Sequence, residues 1–230
     1  MYLENIPNGY MERVLFWDNF ATCYGGGLFI SDCSDFTTVN TVFVNNCAYC
    51  SNSPVPHYKP ETYGSGGMFI EQSKVVIHNM TATQNGTDTS DYLTKRRAYK
   101  AGCIARSDVW FYNSIIYPDT MNIEYNHQNT VYYDHCCLWT TQHLMLQGLV
   151  YDSFLNDCNW DANNTVIESN IFSSDPIFNL ITYFPYPYLQ STSPCVNTGN
   201  TSYPIQYDIF WLPREVGGTI DMGAMEFQGQ

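Results

Sequence analysis

Four polar residues in the middle of the chain have the types and spacing that could support catalysis. Arg106 and Asp108 lie close together, and Asp134 and His135 follow about one repeat later. A carboxylate pair on adjacent units could hydrolyse a glycosidic bond, and a basic residue beside an acidic one could abstract a proton. The elements that position these residues decide whether the four side chains converge.

The structural interpretation of these residues is the stronger one. Asp134 falls in a column of turn residues, and Arg106 with Asp108 flanks a turn. The chain has no Asp-Asp pair, no Gly-His-Gly phrase and no repeated acidic cluster. We therefore predict no catalytic residues, and we keep Arg106, Asp108, Asp134 and His135 as the alternative set.

A repeated phrase defines the elements around these residues. Phe16-Trp17-Asp18-Asn19 leads into Gly25-Gly26-Gly27-Leu28-Phe29-Ile30, and Phe43-Val44-Asn45-Asn46 leads into Gly66-Gly67-Met68-Phe69-Ile70. Phe16 and Phe43 are 27 residues apart, which is within the range of stacked repeats. Short apolar runs broken by Gly and Asn predict short strands that pair in parallel from one coil to the next.

A column of turn residues supports this alignment of the repeats. With Phe43, Ala82, Ile116 and Cys137 taken as the last apolar residue of each coil, the residues three positions earlier are Asn40, Asn79, Asn113 and Asp134. Asn tolerates the left-handed backbone region that a tight bend requires. A second column begins with Gly27, Gly67 and Gly102, and it would place Cys103 with Leu28 and Met68.

These residues resemble the right-handed parallel β-helix family, also called pectin-lyase-like. The Gly-Gly-x-Leu/Met and Phe-x-x-Asn phrases resemble repeats of polymorphic outer-membrane proteins, which are surface adhesins. The C-terminal third resembles the closing coils of secreted bacterial β-helix proteins, in three stretches: Asp175-Pro176-Ile177-Phe178, Tyr188 to Asn200 (YLQSTSPCVNTGN), and Gly217 to Phe227 (GGTIDMGAMEF).

The resemblance implies an all-β fold, a right-handed parallel β-helix solenoid, in a single domain over 1–230. We expect stacked coils over about 12–145, loop insertions at 48–64, 86–100 and 117–128, and C-terminal coils with a closing segment over 146–230. The chain starts almost in repeat phase and shows no signal peptide, so we expect a fragment that lacks its N-terminal cap.

Two functions follow as expectations. The first is a non-catalytic extracellular or cell-surface protein that acts as an adhesin or structural component, or contacts carbohydrate. The alternative is a polysaccharide lyase or glycoside hydrolase that acts in a groove along one face, and only a lyase would require Ca²⁺. The expected partners are polysaccharide or other surface proteins.

Charge excludes other partners. The net charge is −13 with nine basic residues, which argues against nucleic acid. No apolar stretch is long enough to predict membrane insertion. Tyr, Asn, Thr and Ser hold the surface that Lys and Glu usually occupy, which suits a β-surface that contacts sugars and suits an ordinary exported β-protein equally well.

Cysteines and sequons complete the candidate sites. Nine Cys leave at least one unpaired, and Cys47 with Cys50 could form a disulfide within a loop. We predict no metal site, because neither this C-x-x-C pair nor Cys136-Cys137 has partners at metal-binding spacing. Sequons for glycosylation occur at Asn79, Asn85, Asn163 and Asn200.

Overall fold

The chain forms an all-β structure in a computed structural model. The model describes residues 1–22, 24–49, 65–88, 98–123, 128–138, 164–179, 186–203 and 205–229. Within these ranges every regular element is a strand. No helix in the described part of the chain is long and apolar enough to cross a membrane.

The strands recur in circuits, each of which visits the sheets in the same order. The first circuit contains β1 (Tyr2–Glu4), β2 (Tyr10–Glu12), β3 (Leu15–Trp17) and β4 (Phe20–Ala21). The second contains β5 (Leu28–Ser31), β6 (Phe36–Val39), β7 (Val42–Val44) and β8 (Cys47–Tyr49). The third contains β9 (Met68–Glu71), β10 (Lys74–His78), β11 (Thr81–Thr83) and β12 (Gly86–Asp88).

Two further circuits lack the fourth strand in the described residues. The fourth contains β13 (Ala98–Ala105), β14 (Asp108–Tyr112) and β15 (Ile115–Ile116). The fifth contains β16 (Thr120–Ile123), β17 (Asn129–Asp134) and β18 (Cys137–Leu138). The chain continues with β19 (Asn164–Ser169), β20 (Phe178–Asn179) and β21 (Tyr188–Leu189).

Equivalent strands of successive circuits pair side by side. A six-stranded parallel sheet has the order β19-β17-β14-β10-β6-β2, and a five-stranded parallel sheet has the order β18-β15-β11-β7-β3. The eight-stranded sheet joins β1, β5, β9, β13 and β16 to β12, β8 and β4 through an antiparallel contact between β12 and β13. The parallel pairing expected from the repeat is confirmed.

Residues at positive φ end the strands of these sheets. Asn40, Asn79 and Asn113 follow strands of the six-stranded sheet with φ of 51°, 52° and 49°. All three are fully buried, and Asn79 Nδ2 donates to Asn40 Oδ1 at 3.4 Å. Asn is among the residues that reach this region most readily, which explains the recurrence of this residue type at the bend.

The fourth member of this column is His135, and the assignment of Asp134 was wrong by one residue. Tyr112 pairs with Asp134, so Asn113 lies beside His135, which has a φ of 49°. The error arose because Ile115-Ile116 and Cys136-Cys137 are both adjacent apolar pairs. Ile116 pairs with Leu138, so the anchor is Leu138 and not Cys137.

The glycine column slipped in the same way. Gly102 pairs with Met68, and Cys103 pairs with Phe69, so Ala101 is the residue beside Gly67. A Cβ on Gly67 would lie 2.1 Å from the carbonyl oxygen of Ala101, so a side chain does not fit there.

Apolar side chains from the sheets fill the interior between them. Eight of these buried residues are Phe16, Leu28, Ile30, Phe43, Met68, Ile70, Ile104 and Ile116. Val42 and Ile115 are also buried, but they pack against C-terminal residues on the outer face of their sheet. Aromatic rings also stack from circuit to circuit, as for Phe16 on Phe43 with ring centroids 4.7 Å apart.

A ladder of side-chain amides runs beside this core. It begins with Asn19 Nδ2, which donates to Asn46 Oδ1 at 2.8 Å. Asn46 Nδ2 donates to Asn85 Oδ1 at 2.8 Å, and Asn85 Nδ2 donates to Asp119 Oδ2 at 2.7 Å. Each member therefore satisfies a buried polar group of the next circuit.

The C-terminal residues 186–203 and 205–229, here called the strap, lie across the outer face of the five-stranded sheet. Val42 and Val44 pack against Ile209 and Met225 of the strap, and Ala224 N donates to Thr81 Oγ1 at 2.9 Å. Within the strap the only described strand is β21, which pairs antiparallel with β20. The strap therefore covers the side of the stack, whereas the sequence predicted closing coils at its end.

A buried arginine fastens the strap to the stack. Arg214 has no exposed surface, and its Nη2 donates to Asn40 Oδ1 at 2.8 Å. Its Nη1 lies 3.6 Å from Glu226 Oε2. Burial lowers the pKa of Arg214 to about 10 and raises that of Glu226 to about 8, so the pair is held in an environment that disfavours both charges.

Candidate functional site

A polar groove follows the turns between the eight-stranded and six-stranded sheets. It has a volume of about 610 Å³. Its lining comes from four successive circuits and consists of Asp32, Cys33, Ser34, Gln72, Ser73, Lys74, Arg106, Ser107, Asp108, Gln128 and Thr130. Since equivalent strands lie about 4.8 Å apart, the groove spans roughly 14 Å along the stack.

The floor of the groove is held by hydrogen bonds between circuits. The Ser73 hydroxyl accepts from the backbone nitrogen of Cys33 at 3.0 Å, and the Ser107 hydroxyl accepts from that of Ser73 at 3.1 Å. Asn129 Oδ1 accepts from the backbone nitrogen of Ser107 at 3.0 Å. The groove therefore has a fixed shape before any ligand arrives.

The two basic side chains of the groove, Lys74 and Arg106, form ion pairs with carboxylates. Arg106 Nη2 contacts Glu71 Oε1, and Lys74 Nζ lies 2.5 Å from Asp35 Oδ1. The hydrogen bond that Lys74 donates to the Asp35 carboxylate raises the pKa of Lys74. Both pairs are exposed, so their contribution to stability is small and a ligand can compete for them.

An aromatic row lies beside the groove on the outer face of the six-stranded sheet. Strand register places Trp110 next to Tyr132 and, one column further from the groove, His78 next to Tyr112. The rings of Tyr112 and Tyr132 are 5.8 Å apart, and Lys74 Nζ lies 5.9 Å from the Trp110 ring. Groove and row meet where Lys74, Asp108 and Thr130 are adjacent in register.

The carboxylate of Asp134 lies at the opposite end of the strands of this sheet from the groove, and four side chains contact it. Asp134 Oδ1 lies 2.9 Å from His135 Nδ1 and accepts from Asn170 Nδ2 at 3.0 Å. Oδ2 accepts from Asn200 Nδ2 at 3.4 Å and from the Tyr203 hydroxyl at 3.3 Å. Burial acts to raise the pKa of Asp134, but these hydrogen bonds and the charge of His135 lower it.

One strap residue, Tyr203, connects this carboxylate to the aromatic row. The Tyr203 ring lies 4.3 Å from Tyr112 and 5.4 Å from His78, measured between centroids. Burial raises the pKa of Tyr203 and lowers that of His78. At neutral pH the phenol is therefore protonated and the imidazole uncharged, and Asp134 anchors the strap.

The four candidate catalytic residues do not converge. Arg106 and Asp108 line the groove, whereas Asp134 pairs with Tyr112 at the far end of β14. Four residue rises, roughly 13 Å, separate Asp108 from Asp134 along the strand direction. The sequence correctly predicted that the two pairs lie on neighbouring circuits. It could not show that they lie at opposite ends of the strands of one sheet.

The remaining site expectations have different outcomes. Asn79 and Asn85 are fully buried, so the folded chain has no space for a glycan on either. Asn200 is half-buried and bonded to Asp134, while Asn163 lies outside the described residues, as does Cys50 of the expected Cys47–Cys50 disulfide. Among the described residues, no three His, Cys, Asp or Glu side chains are grouped closely enough to hold a metal ion.

Comparison with known proteins adds no assignment to these surfaces. No family model, curated protein or solved structure matches the chain. The case for function therefore depends on the groove and the aromatic row. Sequence reasoning missed the groove because its lining is mostly Ser, Thr, Gln and Asp in turns, residue types that also occur in ordinary bends.

Proposed function

We propose that this chain is a right-handed parallel β-helix that binds a neutral polysaccharide without cleaving it. Stacked parallel sheets, recurrent positive-φ turns and an amide ladder support the solenoid. The resemblance of the sequence to β-helix surface proteins suggests an adhesin-type or structural protein outside the cell or on its surface.

The observation that carries binding is the polar groove beside the aromatic row. Four groove residues offer neutral hydrogen-bonding groups, which match the hydroxyls of a sugar chain: Ser34, Gln72, Gln128 and Thr130. Trp110 and Tyr132 add flat, partly apolar surfaces at its side. A groove that crosses four circuits suits an extended polymer better than a compact metabolite.

Charge favours a neutral ligand. Arg106 and Lys74 are already matched by Glu71 and Asp35, so the groove carries no excess of positive charge from these pairs. The whole chain has a net charge of −13, which repels anionic polymers.

Titration with a panel of neutral and acidic polysaccharides tests this proposal, with calorimetry as the readout. We expect binding of at least one neutral polymer, and a loss of about tenfold or more in Trp110→Ala and in Gln128→Ala. The matched control is Trp17→Ala, an exposed Trp on the five-stranded sheet. Equal losses in the control, or preferential binding of acidic polymers, would overturn the proposal.

The enzyme alternative depends on one specific observation, which is that Arg106 and Asp108 line the same groove. A lyase would use the arginine as a base, and a hydrolase would use the carboxylate as an acid or nucleophile. The same panel is assayed for unsaturated and reducing ends, with and without Ca²⁺. Cleavage that Arg106→Ala or Asp108→Asn abolishes, with the circular dichroism spectrum unchanged, would replace binding by catalysis.

A further inference from the structure

Two buried cysteines from distant parts of the sequence meet under the strap. Cys137 belongs to β18, and Cys195 lies 58 residues later in the sequence, in the strap. Neither side chain has exposed surface, and both belong to the same apolar cluster with Ile115, Leu189 and Met222. Within this cluster the Cys137 thiol acts directly on Cys195 and raises its pKa.

The backbones of both cysteines are fixed by hydrogen bonds. Cys137 N donates to the carbonyl of Ser114 at 2.8 Å. Cys195 N donates to Ser193 Oγ at 3.1 Å, and the carbonyl of Cys195 accepts from Met222 N at 3.0 Å. Formation of a covalent bond would therefore fix an arrangement that already exists, with little loss of freedom in the folded state.

The neighbouring thiol provides a contrast. Cys136 points into the main core, where its Sγ lies 3.4 Å from the carbonyl oxygen of Asp134 and 3.5 Å from that of Phe111. It belongs to the apolar cluster on the inner side of the sheet, whereas Cys137 faces the strap. Cys136 lies immediately before β18, and the two adjacent side chains belong to clusters on opposite sides of the sheet, so only Cys137 can reach Cys195.

We infer that Cys137 and Cys195 are a disulfide site that covalently locks the strap to the stacked sheets when the chain folds in an oxidising environment. The oxidant is a small-molecule disulfide such as oxidised glutathione. One cysteine thiolate attacks it and expels one glutathione thiolate. The second cysteine thiolate then attacks the mixed disulfide and expels the other, so two protein thiols are oxidised and one glutathione disulfide is reduced to two thiols.

The bond forms during folding and not in the closed native state. The hydrogen bond between Cys195 and Cys137 and the burial of Cys195 both raise the pKa of Cys195. The reactive thiolate is therefore scarce once the strap is closed. Full burial also keeps an external disulfide away from both sulfur atoms. The reduced native protein should accordingly resist thiol reagents until the strap opens.

The test is to refold the reduced, denatured chain in a glutathione redox buffer, block free thiols, and map the peptides by mass spectrometry. We expect a peptide pair joined through Cys137 and Cys195. The transition temperature should rise by roughly 5–10 °C over the reduced protein, as expected when a loop of this length is closed.

Variants separate this site from other thiol chemistry. Cys195→Ala should lose both the linked peptide and the redox-dependent shift, whereas Cys136→Ala should keep both. The peptide map of the unaltered chain decides the matter even where a variant folds poorly. Recovery of Cys195 as a free thiol in the natively refolded protein, or joined to a different cysteine, would overturn the inference.

Discussion

The carboxylate of Asp119 accepts two hydrogen bonds from Asn85, one from the backbone nitrogen at 3.0 Å and one from Nδ2 at 2.7 Å. Asp119 occupies the position that Asn19, Asn46 and Asn85 hold in the earlier circuits of the amide ladder. Its Oδ1 is buried and has no hydrogen-bond partner among the described residues. An ionisable carboxyl group is therefore placed where the repeat elsewhere has an amide.

We first predict that Asp119→Asn stabilises the protein at alkaline pH. Burial raises the pKa of Asp119 to about 8, against roughly 3.9 when unfolded. The folded state binds the proton more tightly, so the free energy of unfolding falls as pH rises between these values. The limiting slope is about 1.4 kcal/mol per pH unit. In the variant, the new amide can also donate to a backbone carbonyl, as Asn85 Nδ2 does to that of Phe43.

Denaturant titrations from pH 5 to pH 9 measure this effect. The matched control is Asp108→Asn, which removes an exposed carboxyl and should not stabilise the protein at pH 9. Identical pH dependence in the parent and in Asp119→Asn would show that the carboxyl is ionised at no cost in the folded state.

Asn113 is the subject of a second prediction, that Asn113→Val destabilises the protein by about 1–3 kcal/mol. Val at a φ of 49° is strained, and it loses the bonds of Asn113 Oδ1 and Nδ2 to the backbone of Asn200, at 2.7 and 3.1 Å. Asn113→Gly tolerates the backbone and loses only the bonds, so it should cost less. Chemical denaturation of both variants measures the two parts, and equal costs would mean that backbone strain plays no role.

A third prediction concerns the buried Arg214. Arg214→Met should cost about 3–5 kcal/mol, because it leaves Glu226 buried without its ion-pair partner and removes one hydrogen bond to Asn40 Oδ1. Limited proteolysis should cut first within the strap, since the lost contacts hold it down. The contrasting change is Arg106→Met, which breaks only an exposed ion pair and should cost about 0–1 kcal/mol. Comparable losses of stability in the two variants would contradict this interpretation of the buried pair.

A fourth prediction follows from the matched charges of the groove. Binding of a neutral polysaccharide should change by less than about twofold when the ionic strength rises from about 0.05 to 0.5 M, although the Debye length shortens severalfold. Calorimetry at both salt concentrations measures this. A steep loss of affinity with salt would mean that Arg106 or Lys74 leaves its carboxylate partner to bind a charged ligand.

The strand content and the core could be predicted from the sequence because both depend on local patterns. Apolar residues such as Leu28 and Met68 recur with glycine before them, and their burial is confirmed. The phase failed in the later circuits, where two adjacent apolar residues left the last core position ambiguous. The amide ladder was accessible in principle, since Asn19, Asn46, Asn85 and Asp119 each follow the last apolar residue by three positions.

The strap could not be predicted in the same way. Its position depends on contacts across great sequence distances, such as Asn40 Nδ2 with the carbonyl of Tyr207 at 2.7 Å. Nothing in the local pattern near residue 207 names Asn40 as a partner. The groove was equally hidden, because its wall is assembled from successive turns that are 22 to 40 residues apart in the sequence.

The strap also changes how the chain should come apart. In a simple stack each repeat contacts only its neighbours, so ends can melt while the middle stays folded. Here a single segment touches the second circuit through Asn40, the third through Thr81 and the fourth through Asn113. Unfolding of any one circuit removes some of the contacts that hold the strap against the remaining circuits. We therefore expect one cooperative unfolding transition where an unstrapped array of this length would fray stepwise from its ends.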